Sequence, residues 1–362
     1  MEIAIIGAGP AGCYAGYLLS KSGHAVTIYE KKPEIGLPIQ CTGLLTADFD
    51  EFGINLKNSL VNTFEKLEVN SPNGNRLEVE QKEYLICRKR FDNLLADLAK
   101  KSGAKILLEH SFAGKDKGKL IIKDKKNKNE VRVSPDLVIA ADGPLSPTAK
   151  AFGLYCRGRK NYLGIQATVT GSFDKTKYLT YFGEETCPDA FAWIVPESSD
   201  TARVGLAATK DTREYFDNFI GINKFKVKEK LAAIIPVYDP KQKMNKDNCY
   251  LLGDAAGFVK ATTLGGIIPG MKQAEILAYC INNGKNYEKE LKPLKKRLKM
   301  HLTLRKIMGK FSDKDWNLLV SYMNQVLVKD VLRQHTRENP VPLVRKALMR
   351  EPRFLYFLKY LF

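Results

Sequence analysis

The sequence lacks the cysteine pairs that mark metal sites or disulfide frameworks. Its seven cysteines (13, 41, 87, 156, 187, 249 and 280) are scattered, odd in number and never spaced as C-x-x-C. That pattern argues against a zinc site or a disulfide scaffold, so reduced thiols and no bound metal are expected. Long apolar runs are missing as well: no stretch approaches the roughly 18 apolar residues that a spanning helix needs. The N-terminus, MEIAIIGAGPAG, has only a short apolar run, no basic lead, and passes straight into a glycine loop, so no signal peptide is expected. Together these absences predict a cytoplasmic protein. There is no internal repeat, no nucleic-acid-binding motif and no second G-x-G-x-x-G to mark a separate nicotinamide site.

What is present in excess is positive charge. The 362 residues hold 58 Lys and Arg against 40 Asp and Glu, a net charge of +18. Residues 285–362 carry 19 basic and 7 acidic residues, which places +12 of the excess in the last part of the chain. Such a bias suits an anionic partner. A second basic run, KDKGKLIIKDKKNKNEVR (115–132), reads as a solvated hairpin tip.

The first thirty residues read as strand, glycine turn, helix, strand and acid. Gly7, Gly9 and Gly12 form G-x-G-x-x-G: the first permits a tight turn, the second lets a pyrophosphate approach the backbone, and the third lets helix and strand pack closely. Glu30 ends the second strand, where a carboxylate can accept the hydroxyls of an adenosine ribose. This fixes a dinucleotide site and leaves NAD or FAD open. Two later segments together favour FAD. DLVIAADGPLSP is a buried-type strand ending at Asp142, and NCYLLGDAAGFVKATTLGGIIPG is a strand ending at Asp254, followed by Gly265 and Gly266 opening a helix. Asp254 can hold a ribityl hydroxyl, and the positive end of the helix suits a reduced flavin. Arg88 stands at a strand-to-helix junction, where a cation can face phosphate or flavin.

The expected architecture is α/β. A Rossmann-type FAD-binding domain is assembled from residues 1–62, 84–159 and 247–284. Into it is inserted an antiparallel β-sheet substrate domain, 63–83 and 160–246, built of short alternating strands with a hairpin at Pro72-Asn73-Gly74. A helical region, 285–362, completes the chain.

On GAGPAG, GLPIQCTGL, R-x-x-FD at Arg88 to Asp92, ADG, GDAAGFVKATTLGGIIPG and FAWIVP, the chain resembles the geranylgeranyl reductase family, and within it the archaeal digeranylgeranylglycerophospholipid reductases. These belong to the larger aromatic-hydroxylase-like flavoprotein group. The resemblance covers roughly residues 1–290. It departs from the family pattern P-x-Y-x-W-x-F-P: Trp193 and Pro196 match, whereas Phe191 replaces Tyr, Val195 replaces Phe, and the first proline stands one place early at 188. The resemblance implies a non-covalent FAD enzyme that saturates isoprenoid double bonds of membrane-lipid precursors, with hydride from flavin N5 and a proton; a monomer is expected. Its electron donor would be a ferredoxin-like acidic protein or NAD(P)H. It further implies FAD contacts at Ala11, Glu30, Cys41, Thr42, Leu44, Arg88, Asp254, Gly266 and Ile267, with Phe112 contributing through its backbone. Trp193 and Phe191 would wall a substrate tunnel. Two other readings compete: a flavin-dependent monooxygenase or halogenase, faintly echoed in FAWIVP, and a non-catalytic prenyl-lipid carrier, against which the intact Glu30, Asp142 and Asp254 argue.

Cys41 lies in GLPIQCTGLL, a stretch built to turn. Two roles are open to it: a weak acid delivering the proton in alkene reduction, or a small hydrophobe packed on the flavin. The C-terminal stretch VPLVRKALMREPRFLYFLKYLF mixes basic residues with Leu, Phe and Tyr. It either lies peripherally on an anionic membrane, on the inner face of the cell membrane, or docks its apolar face on the protein's own core.

Overall fold

The computed structural model describes residues 1–361 and divides into two compact units. The first comprises residues 1–39, 88–160 and 236–298; the second comprises 40–87, 161–235 and 299–362. The boundaries therefore differ from the sequence reading. Residues 40–62 belong with the second unit, where Leu44–Thr46 and the start of the strand Leu60–Asn70 are part of its sheet. The C-terminal region is not a separate piece, and the division falls within the helix Lys292–Met308.

The first unit is built on a six-stranded sheet in the order Asn245–Lys246, Cys249–Leu251, Leu137–Ala140, Glu2–Ile6, Ala25–Tyr29, Lys105–Leu107. All pairings are parallel except the short edge pair at 245–246. Ile3, Ile5, Val138 and Ile139 are almost fully buried, as strands covered on both faces require. The helices Pro10–Lys21, Arg88–Lys101 and Ile267–Asn283 accompany this sheet. The basic run forms a three-stranded meander, His110–Asp116, Lys119–Asp124 and Asn129–Val133, with exposed tips.

The second unit carries an eight-stranded sheet in the order Lys226–Pro236, Asn161–Thr170, Thr201–Ala208, Cys187–Pro196, Lys177–Gly183, Leu60–Asn70, Arg76–Ile86, Leu44–Thr46. Among the described pairings the expected antiparallel pattern holds except for one: Lys177–Gly183 runs parallel to Leu60–Asn70. The 106 residues from 71 to 176 separate these strands, ample for the crossover a parallel pair needs. The hairpin at 70–76 forms as read, with Gly74 at φ +82°. Helix Thr212–Ile222, unforeseen among the strands, buries Phe216 and Phe219. Three further helices, Asp313–Met323, Val326–Gln334 and Pro340–Arg350, lead to a 3-10 segment, Pro352–Leu361.

Candidate functional site

In the first unit the glycine loop behaves as the motif demands. A Cβ on Gly7 would lie 2.4 Å from the Ala141 carbonyl oxygen, and one on Gly12 only 2.1 Å from the carbonyl of Gly7. Gly9 is different: a Cβ there would meet no protein atom within 4 Å. Its backbone caps the helix Pro10–Lys21 without a side-chain hydrogen bond, leaving an open approach to the helix N-terminus. The Glu30 carboxylate is buried and accepts the amides of Ala8 (2.8 Å) and Lys32 (3.0 Å), so the loop and the end of the second strand are locked together.

The later segments converge on the same unit. Asp254 sits in the 3-10 turn Gly253–Ala256, and its carboxylate accepts no hydrogen bond from the described residues. Burial pushes its carboxyl upward, opposed by the charges of Arg88 and Arg159. Gly266 caps the helix Ile267–Asn283, and a Cβ there would fall 2.9 Å from an Asp254 carboxylate oxygen. Thr263, in the preceding loop, has a buried hydroxyl with no partner among the described residues. Ala11 packs against Gly253 and Gly270, which brings the two helices together. An open glycine, a carboxylate without a donor and an orphaned hydroxyl are what a bound nucleotide with a polyhydroxyl linker would satisfy, so these residues fit FAD.

Other expected contacts are committed locally. Arg88 forms a two-pronged pair with Asp92 at 2.9 Å, so its free charge toward a ligand is already shared. Asp142 accepts the Ser146 hydroxyl and the Thr148 amide at the start of the short helix Pro147–Ala151, whose N-cap is Ser146. Phe112 lies in the meander, two residues beyond His110, whose amide bonds the Glu30 carbonyl. Gly265 runs alongside the buried Lys260 side chain. Sequence reasoning missed Arg159. It is nine-tenths buried, donates to the carbonyls of Asp254 (3.3 Å) and Ala255 (3.2 Å) and to Gln242, and holds the Asp254 turn. Its only signal was a place in RGRK, indistinguishable from surface charge.

Cys41, Thr42 and Leu44 lie in the second unit. The Cys41 sulfur accepts the Gly43 amide at 3.3 Å, which fixes its direction. Gly43, at φ +79°, leaves no room for a side chain beside the Ile86 carbonyl. Arg203, almost buried and paired with Glu197, donates to the carbonyls of Thr42 and Ile86. Leu44 packs with Phe64, Leu85, Tyr178 and Val195. Phe191 and Trp193 share one face of their strand with ring centroids 5.8 Å apart, and Phe182 stands 5.8 Å from Phe191. Thr42 and Trp193 meet through Gln166, whose side-chain oxygen accepts both the Thr42 hydroxyl (2.6 Å) and the Trp193 indole N–H (3.1 Å). Gln166 and Arg203 were also missed; polar residues inside the apolar strands IQATV and ARVGL were the available signal.

Comparison with known proteins agrees with this geometry. Residues 5–55 match the NAD(P)-binding Rossmann-like domain family, and residues 55–281 match the FAD binding domain family. A digeranylgeranylglycerophospholipid reductase from Methanococcus vannielii is 32% identical over 80% of this chain and 79% of its own length. One from Methanocaldococcus jannaschii is 29% identical over 99% and 97%. Among solved structures, a geranylgeranyl bacteriochlorophyll reductase-like protein from Thermoplasma acidophilum superposes with a TM-score of 0.83 at 23% identity, covering 100% and 99% of the two chains. The flavin-dependent halogenase CmlS superposes at 0.69 with 18% identity, covering 98% of this chain and 71% of its own, a likeness of fold alone. The chain is an FAD-dependent oxidoreductase and belongs to the digeranylgeranylglycerophospholipid reductase family.

Proposed function

We propose that the protein reduces the C=C bonds of geranylgeranyl chains on membrane-lipid precursors. The observation that carries this reading is kinship over nearly the whole length to reductases named for that lipid, joined to a nucleotide cradle whose Asp254 carboxylate awaits a donor. Reduced FAD, when bound, supplies hydride for the alkene. Glycines 7, 9 and 12, Glu30, Asp254, Gly265, Gly266 and Ile267 bind it; Arg88, Phe112 and Asp142 serve through their backbone or their charge rather than through free side chains. Phe191 and Trp193 form an apolar wall for the prenyl chain and exclude water, which would otherwise compete for the proton. The Cys41 thiol delivers the proton to the carbon opposite the hydride, and Thr42 and Leu44 hold the turn that carries it. Oxygen separates this reading from a monooxygenase. Flavin reduced with dithionite under anaerobic conditions should reoxidise on addition of a geranylgeranyl glycerophospholipid, and failure to do so counts against the proposal.

We further propose that the second unit attaches peripherally to anionic membranes through its C-terminal segment. Met349, Leu355, Tyr356, Leu358 and Leu361 are exposed, Met349 by 63% and Leu355 by 53%. Arg345, Lys346, Arg350, Arg353 and Lys359 stand among them, and the one acid of the stretch, Glu351, is buried against Arg353. Apolar side chains ringed by cations suit the boundary of a bilayer with anionic headgroups. Electrons come from an acidic carrier protein or NAD(P)H, and the protein works as a monomer.

A further inference from the structure

Gln166, Gly205 and Trp193 occupy one row across three adjacent strands: Gln166 pairs with Gly205, and Gly205 pairs with Trp193. Side chains in such a row share a face of the sheet. The outer two would ordinarily be kept apart by the middle one. Position 205 has no side chain, and a Cβ there would lie 2.7 Å from the Trp193 ring and 2.6 Å from the Ile165 carbonyl. The indole therefore crosses over Gly205 and places its N–H on Gln166, two strands away. A glycine inside a strand marks just such a close approach.

The chemistry of the donors fixes the orientation of the amide. An indole N–H can only donate, so the atom it meets at 3.1 Å must be the Gln166 oxygen, not its nitrogen. The same oxygen, 2.6 Å from the Thr42 hydroxyl, must then accept from that hydroxyl too. Both lone pairs of one buried oxygen are thereby used, and Gln166 is only 3% exposed. Thr42 is fixed a second time, through its carbonyl, by Arg203, which lies on the same strand face as Gly205. The neighbouring Cys41 sulfur is in turn set by Gly43.

We propose that Gln166 is a positioning residue: through one oxygen it ties the Trp193 wall to the turn that bears Cys41, so that prenyl chain and proton donor keep a fixed register. This rests on the function proposed above, in which Trp193 contacts the chain and Cys41 supplies the proton. Gly205 is the gap that makes the tie geometrically available.

The test uses the full-length protein with nitrogen-15-labelled tryptophan. Its two tryptophans give two indole N–H signals, and loss of one in Trp193→Phe assigns them. Gln166→Met keeps the volume and removes the oxygen; Gln166→Glu keeps the oxygen and removes the amide nitrogen. We expect Gln166→Met to move the Trp193 indole signal upfield and to lower kcat for alkene reduction roughly ten-fold or more with little change in KM, within the effect of a small misplacement. Gln166→Glu, whose buried carboxyl is favoured in its neutral form and keeps an acceptor oxygen, should restore both. An unmoved signal in Gln166→Met, or an equal kcat loss in Gln166→Glu, would overturn the proposal. Should Gln166→Met not fold, Thr42→Val decides, because loss of one donor to a shared oxygen must shift the signal of the other. If the wild-type protein reduces no prenyl lipid, the proposed function has failed, and the positioning role of Gln166 in it; the Thr42→Val spectrum still decides whether the tie exists.

Discussion

A hydrogen bond from the Gly43 amide aims the Cys41 sulfur, while Arg203 and Gln166 hold the next residue by its carbonyl and its hydroxyl. These three contacts fix the turn, and with it the direction of the thiol proposed above as the proton donor. Were Cys41 merely filling space, alanine would serve almost as well. Cys41→Ala should therefore still purify yellow, with FAD bound, and reduce alkenes roughly ten-fold or more slowly, the range of general acid–base groups. Turnover equal to wild type at saturating reductant would restrict Cys41 to packing. The glycine loop and Glu30 were legible at this scale because their chemistry is backbone geometry, which a short motif encodes. Arg159, Arg203 and Gln166 were not, since a buried polar side chain is defined by partners up to 161 residues distant along the chain. Asp142 adds local partners that its motif does not reveal, the Ser146 hydroxyl and the Thr148 amide.

Among elements, the C-terminal segment is joined to the substrate-side sheet by buried charge. Glu83 on the strand Arg76–Ile86 is fully buried and takes a two-pronged contact from Arg337, while the Tyr178 hydroxyl donates to the same carboxylate at 2.9 Å. Burial pushes the Tyr178 hydroxyl well above its ordinary range, so it remains a donor at any working pH. Next to this pair, the Thr46 hydroxyl donates to Glu338. Removing one partner of a buried ion pair strands the other. Arg337→Met should accordingly cost about 3–5 kcal/mol of stability, and adding Glu83→Leu should recover much of the loss. Thermal unfolding of both variants checks this; a single variant as stable as wild type would contradict the assignment. The strand and helix periodicities that predicted this sheet were readable, yet the parallel pairing of Lys177–Gly183 with Leu60–Asn70 was not, because alternation marks a strand without naming its neighbour.

At the scale of the whole molecule, the net charge of +18 and its concentration beyond residue 285 acquire a location. The sequence left two fates for the last stretch, and the structure shows one side of it docked on the protein's own core. Phe357 is buried with Ile307, Phe311 and Trp316, and the Tyr360 hydroxyl donates to Asp315, so one side docks on the second unit's own core. The other side keeps its Leu, Met and Tyr side chains exposed among cations; Phe362 lies outside the described residues. No helix among the described residues is long and apolar enough to cross a membrane. Each Lys or Arg near an anionic surface contributes about 1 kcal/mol, screened by salt. Deleting the segment would open the Phe357 core, so Leu355→Ser with Leu358→Ser is the cleaner probe. Full-length protein should float with anionic vesicles at low salt and be released at high salt, and the double variant should float less while retaining FAD. Equal flotation with neutral and anionic vesicles would refute the membrane reading.

The central claim is that a flavin held by the glycine loop and the Asp254 turn delivers reducing equivalents to a geranylgeranyl chain. Mass spectrometry of a geranylgeranyl glycerophospholipid, incubated anaerobically with the dithionite-reduced protein, tests it most directly. The account predicts products heavier by two hydrogens for each double bond reduced, absent when Asp254→Ala protein that has lost its flavin is used. Unchanged lipid in the presence of fully reduced, flavin-loaded wild-type protein would contradict it.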